Sequence, residues 1–279
     1  MPPLNLGGFI IQNEMKKITL LFLGMLHFTL SSQVVSSVDF HVLNDNMEDS
    51  YIELEKIWSE FHKNNMEQGK MIRWVMLKVE SSEGGPSDVA NYVTVNTYGS
   101  IEDYNSIWDN INPDSFSKIV KKRLKGKMSS RTVNKILNAE IKKSHRSYMI
   151  TPLDGTVPPP KLKEGDVILL DAMSQKNDDY EQYESSLAKN VMQHNVDNGN
   201  LKLWGFTKII DRNEAAAKGP THFTWRVPVE GGDFQWENEE LYEKFGNKFL
   251  YQKMWELASA SRSIPGSASL RIVQIIEKQ

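Results

Sequence analysis

The stretches EQGKMIRWVMLKV (Glu67–Val79) and DNGNLKLWGFTKI (Asp197–Ile209) begin 130 residues apart in a chain of 279. Each places a glycine (Gly69, Gly199) five residues before a tryptophan (Trp74, Trp204) and a lysine (Lys78, Lys208) four residues after it. A glycine that can close a helix, followed twice by the same apolar run, implies one structural unit written twice.

Sliding the sequence on itself by 130 extends the match without a gap from Val38 to Tyr104. Asp49 falls on Asp179, Asn65 on Asn195, Thr94 on Thr224 and Asp103 on Asp233, and apolar positions coincide as well, Ile57 with Leu187 and Phe61 with Val191 among them. Each copy reads as an apolar strand (VDFHVL; DVILLDAM), a helix entered through acidic residues, the strand quoted above, a polar loop, and a further strand (NYVTVNTY; THFTWRVPV). A second helical region follows, 114–139 and 238–260, and then a last strand, 144–150 and 268–276. The order is βαββαβ twice, an α+β arrangement. The chain thus divides into an upstream segment with a leader (1–32), a first unit (33–150), a Pro-rich linker TPLDGTVPPPKLKEG (151–165) and a second unit (166–279).

With this element order and repetition the chain resembles the dimeric α/β-barrel superfamily, in which two ferredoxin-like units pack their sheets face to face. The resemblance implies a pseudo-dimeric barrel in a single chain, and no motif points to one family within the superfamily. Members include monooxygenases, haem-handling enzymes, lyases and simple ligand binders, so function must be argued from side chains. Haem would call for an iron-ligating His on a helix, and the second helical region of copy two contains none.

Composition narrows the field further. With 33 basic and 36 acidic residues, no global field points to nucleic acid. The absence of cysteine removes disulfides, thiolate metal sites and a cysteine nucleophile. The six His never form an i, i+4 pair, so no metal site is expected, and the residues name no cofactor. Lys16 and Lys17 precede the apolar run ITLLFLGMLHFTL and the small residues Ser31 and Ser32, the pattern of a secretory leader that starts at Met15 and is cut near Ser32. The expected location is therefore periplasmic or secreted, with no integral membrane segment after cleavage.

Period-two alternation sorts the strand residues by face. Phe223, Trp225 and Val227 oppose His222, Thr224 and Arg226; Val93 and Val95 oppose Tyr92, Thr94 and Asn96; Phe40 and Val42 oppose Asp39 and His41. If the polar sets face the space between the two units, a half-polar lumen results. There Asp171 would orient and activate His222 as an acid–base group, and Arg226 would hold a carboxylate or enolate oxygen. Tyr92, His41, Thr94 and Thr224 would line the ligand space. At matched positions Tyr92 becomes His222 and His41 becomes Asp171, so one half-site is expected to be active and the other vestigial. The expected role is binding, and possible transformation, of a small partly apolar organic molecule, by a pseudo-dimeric monomer or a homo-oligomer. A non-catalytic oligomerisation or partner-binding module is the alternative, and a haem-associated protein the second.

Overall fold

A computed structural model describes residues 33–109 and 111–278; the leader read at 15–32 lies outside them. The first half runs β1 (Val35–Leu43), α1 (Glu48–Glu67), β2 (Met71–Gly84), β3 (Tyr92–Tyr98), α2 (Ile101–Trp108), α3 (Pro113–Arg123), α4 (Ser130–Leu137) and β4 (Lys142–Gly155). The second runs β5 (Val167–Gln175), α5 (Tyr180–Tyr183), a π-helical turn (Glu184–Ala188), α6 (Lys189–Asp197), β6 (Leu201–Arg212), β7 (His222–Pro228), α7 (Glu239–Lys244), α8 (Lys248–Ala260) and β8 (Arg262–Glu277). The eight strands close into one antiparallel barrel in the order β1-β3-β2-β8-β5-β7-β6-β4. Each half contributes a four-stranded sheet of ferredoxin-like order, β4-β1-β3-β2 and β8-β5-β7-β6. Pairings of β2 with β8 and of β4 with β6 join the halves and leave no free sheet edge. Among the described residues no helix is long and apolar enough to cross a membrane.

The repeated stretch does what its sequence implies. Gly69 and Gly199 take the left-handed conformation (φ 78° and 72°), and the helices end with matching bonds, Lys70 N–H to Asn65 O at 3.0 Å and Asn200 N–H to Asn195 O at 2.8 Å. Trp74 and Trp204 then go under the helices of their own half, 0% and 1% exposed. The linker is shorter than its composition suggests: β4 runs on to Gly155, and Thr151 to Gly155 pair with Lys208 to Gly205 of β6 to close the barrel.

The registers correct the single offset of 130. Asp39 pairs with Thr94 across β1 and β3, and Asp171 with Thr224 across β5 and β7, so the first strands correspond at 132 residues. Asp39 is therefore the counterpart of Asp171, and His41 that of Met173. The last strands correspond at 120: Ser147 lies opposite Asp39, and Ser267 opposite Asp171. The π-helical turn accommodates one further residue, so Tyr51 matches Tyr180 before it while Asn65 matches Asn195 after it.

The lumen is not half-polar. Val38, Val75, Leu77, Val93, Ile168, Leu170, Phe223, Val227, Leu270 and Ile272 fill it. The polar members of each alternating pair point outward, beneath the helices. The reason is hydrogen-bond supply: strands wall the lumen on every side and spend their backbone groups on one another, so polar side chains there would be stranded. Under the helices, other side chains and partly open clefts can satisfy them.

Candidate functional site

Between the first sheet and its helices lies a cavity of about 300 Å³. Alternation brings Ser37, Asp39 and His41 of β1, Thr94 and Asn96 of β3, and His145 and Ser147 of β4 to its floor. Helical spacing brings Glu55, Trp58 and His62 of α1 to its roof, and Tyr104 and Trp108 of α2 close one side.

Asp39 is the centre of the floor. One carboxylate oxygen accepts from Ser37 Oγ (2.8 Å) and Asn96 Nδ2 (2.9 Å), the other from His145 Nε2 (3.1 Å) and Ser147 Oγ (2.5 Å). Burial alone would raise its pKa; the bonds from His145 and Ser147 and the nearby imidazoles outweigh that and hold it below the usual carboxylate value. The His41 ring stacks on His145 at 5.2 Å, with Nε2 3.1 Å from Thr94 Oγ1. Burial, and then the Lys142 charge, keep His41 neutral well below the ordinary histidine range. His62 stacks between Trp58 (6.0 Å) and Trp74 (5.8 Å), and burial takes its pKa down to about 3. Glu55 is buried 3.5 Å from Lys142, and burial raises its pKa against the pull of that lysine.

Among the described residues five buried side-chain atoms have no hydrogen-bond partner; the Tyr51 and Tyr180 hydroxyls are two, and the other three belong to residues of this one cavity: His41 Nδ1, Trp74 Nε1 and Asn96 Oδ1. Native structures leave few such atoms, because each costs about 1–3 kcal/mol. Three around one polar cavity with tryptophan walls mark a place built for a guest.

In the second half the same framework carries other side chains. Asp171 accepts from Ser267 Oγ (2.7 Å) and from Arg226 Nη2 (2.8 Å), and the guanidinium lies 5.9 Å from the Trp236 ring centre. Glu184 is buried against Arg262 as Glu55 is against Lys142. Where the first half has His41, His62 and His145, the second has Met173, Met192 and Pro265.

The expected group of His222, Asp171 and Arg226 is only partly assembled. Asp171 and Arg226 meet, but His222 does not join them: its Nε2 lies 3.2 Å from Glu181, its Nδ1 2.8 Å from the Thr221 hydroxyl, and its ring packs on Phe206 and Tyr180. Register explains this, since Met173, not Asp171, lies opposite His222. His41 and Thr94 line the first-half cavity. Tyr92 does not; its hydroxyl donates to Glu48 at 2.7 Å. Thr224 sits beside Asp171 in the second half. Sequence reading missed Asp39, His62, His145 and Asn96 as site residues. The signal for two of them was present: Asp39 shares a face with His41, and Trp58 and His62 are spaced as one helix face.

At the level of sequence no family model matches the chain, and no curated protein is a significant relative. Solved structures do resemble it. A candidate monooxygenase from Lactobacillus acidophilus superposes with a TM-score of 0.52 at 11% identity, over 88% of this chain and 97% of that one. A candidate monooxygenase from Fusobacterium nucleatum gives 0.53 at 11%, over 90% and 96%, and an anthrone oxidase-like protein 0.51 at 8%, over 89% and 94%. The fold is that of the dimeric α+β barrels. In this barrel both units belong to one chain, and at such identities the likeness speaks to fold alone. Haem does not fit the place the resemblance would give it, because α7 and α8 carry no histidine. Among the described residues no group of three or more His, Asp or Glu is arranged to hold a metal ion.

Proposed function

We propose that the cavity of the first half binds a small organic molecule with a flat apolar body and at least one hydroxyl or enol group, and that it withdraws a proton from that group. The observation that carries this reading is that three residues lining one cavity, His41, Trp74 and Asn96, each keep a buried polar atom without a partner. Trp74 Nε1–H needs an acceptor and Asn96 Oδ1 needs a donor, and a hydroxyl is both. Trp58 and Trp108 offer aromatic faces to the apolar body. With the Nε2 proton donated to Thr94, His41 Nδ1 keeps a lone pair, and burial holds that imidazole neutral, so proton transfer to it depends on what stabilises the cation formed. Asp39, fixed by four donors, stabilises the imidazolium that would form. Ionised phenols and enols are more easily oxidised than their neutral forms, which accords with the monooxygenase and oxidase descriptions of the structural neighbours.

Titration of the protein with 1-naphthol, read by quenching of tryptophan fluorescence, tests the proposal. Quenching that saturates, and that weakens at least tenfold in both Asn96→Leu and His41→Phe, is the expected result. No quenching, or quenching indifferent to both changes, would sink it. Export also belongs to this reading, supported by Lys16, Lys17 and the apolar run that follows; N-terminal sequencing of the cell-free product should begin near Gln33.

A further inference from the structure

The two sheets part at one end of the barrel to leave a second cavity, of about 390 Å³, on the opposite side of the first sheet from the cavity described above. Its walls come from both halves, and the registers show how it arises. Phe40 corresponds to Ala172, Tyr148 to Ala268 and Arg146 to Gly266, and all six residues line it. At these three positions the first half puts a bulky group and the second a small one. The space is therefore a product of divergence between the copies, and apolar side chains occupy the rest of the lumen.

The chemistry of the walls selects the guest. Phe40, Tyr148 and Phe223 form an aromatic cluster with centroids 5.3 to 6.4 Å apart, Tyr148 meeting both phenylalanines edge to face. Arg146 is the one buried charge in the lining, and it is already neutralised: Nη1 meets Asp88 Oδ1 at 2.8 Å and Nη2 meets the Asp88 carbonyl at 3.0 Å. Ser144 holds the other Asp88 oxygen at 3.0 Å, so the loop between β2 and β3 is tied across the mouth. Glu83 stands exposed at the rim and would repel an anion. We propose that the barrel mouth is a binding site for a neutral lipophilic molecule, on the order of ten to fifteen carbon atoms at ordinary packing density. It is independent of the polar cavity and uses none of its residues.

The fluorophore N-phenyl-1-naphthylamine, neutral and of this size, tests the assignment on the full barrel. Its emission should rise on binding, and 1-decanol should displace it where decanoate does not. Ala172→Phe and Ala268→Tyr copy the bulk of the first half into the second; each should weaken binding at least tenfold with the circular dichroism spectrum unchanged. If either fails to fold, Ala268→Leu provides the same test with less added volume. Asn96→Leu, in the other cavity, should leave the signal as it is. Binding that survives filling in folded variants, displacement by decanoate as effective as by decanol, or loss of signal in Asn96→Leu alone would each overturn the proposal.

Discussion

The two helix-covered faces of the barrel are built to one plan and furnished differently. Both keep an Asp on the first strand (Asp39, Asp171), a Ser bonded to it from the last (Ser147, Ser267), a Thr opposite (Thr94, Thr224), and a buried Glu held by a cation (Glu55 with Lys142, Glu184 with Arg262). They part at Ser37, His41, His62, His145 and Asn96 against Leu169, Met173, Met192, Pro265 and Arg226, among other positions. Arg226 neutralises Asp171, whereas Asn96 only bonds to Asp39 and leaves its charge facing two histidines. What the halves share is therefore scaffold, and what they do not share is the material of a site.

The largest effect should fall on that scaffold, and equally on both sides. Trp74→Ala and Trp204→Ala should each cost about 3–5 kcal/mol in urea unfolding, as the loss of a fully buried large side chain does. Near-neutral unfolding for either variant would break the equivalence of the halves.

A smaller effect should separate them. His62 titrates near 3 in the fold and near 6.5 in the unfolded chain, so protons favour unfolding: its contribution is complete above pH 6.5, falls by about 1.4 kcal/mol per unit as pH drops, and levels off near 3. His41 acts with the same sign. The raised pKa of Glu55 acts oppositely above its ordinary value, and the lowered pKa of Asp39 adds an effect of the same sign as His62 only below about 3.8, at the acid end of the histidine window. His62→Met, which installs the residue of the second half, should therefore remove a few kcal/mol of acid destabilisation between pH 6.5 and 3. Urea midpoints measured across that range read it directly; a pH dependence identical to that of the parent would mean that His62 is not buried neutral.

The fold was legible because Gly69 and Gly199, Trp74 and Trp204, and the alternating strands repeat in register with local physics: a helix stop, a core anchor, a two-sided strand. Two things could not be read. Alternation fixes which residues share a face, as with Thr224 and Arg226 against Phe223 and Trp225, but both faces of this sheet are covered, so it does not say which one looks into the barrel. An ungapped offset also hides length changes. The span from the first-strand Asp to the matched Tyr51 or Tyr180 is three residues shorter in the second half, the π-helical turn restores one, and the connection from third to fourth strand is ten residues shorter. Those shifts turned Asp171 into the apparent partner of His41 when it is the partner of Asp39. Of the site, His41 and Thr94 were found because they sit on short, regular β1 and β3; His145 was passed over because its partner Asp39 is 106 residues away in sequence.

The smallest expected effect tests the difference in furnishing most closely. Ser147 is one of four donors to Asp39, and Ser267 one of two to Asp171. A hydrogen bond to a charged group contributes about 1.5–3 kcal/mol when nothing replaces it, and less where other donors can close in. Ser267→Ala should therefore approach that range, while Ser147→Ala should cost about 1 kcal/mol or less, because Ser37, Asn96 and His145 keep Asp39 satisfied. Urea denaturation at pH 7 measures both. Equal costs would mean that the ring of donors around Asp39 is no better supplied than the Arg226 pair, and the contrast between a carboxylate held by four donors and one neutralised by arginine would lose its energetic basis.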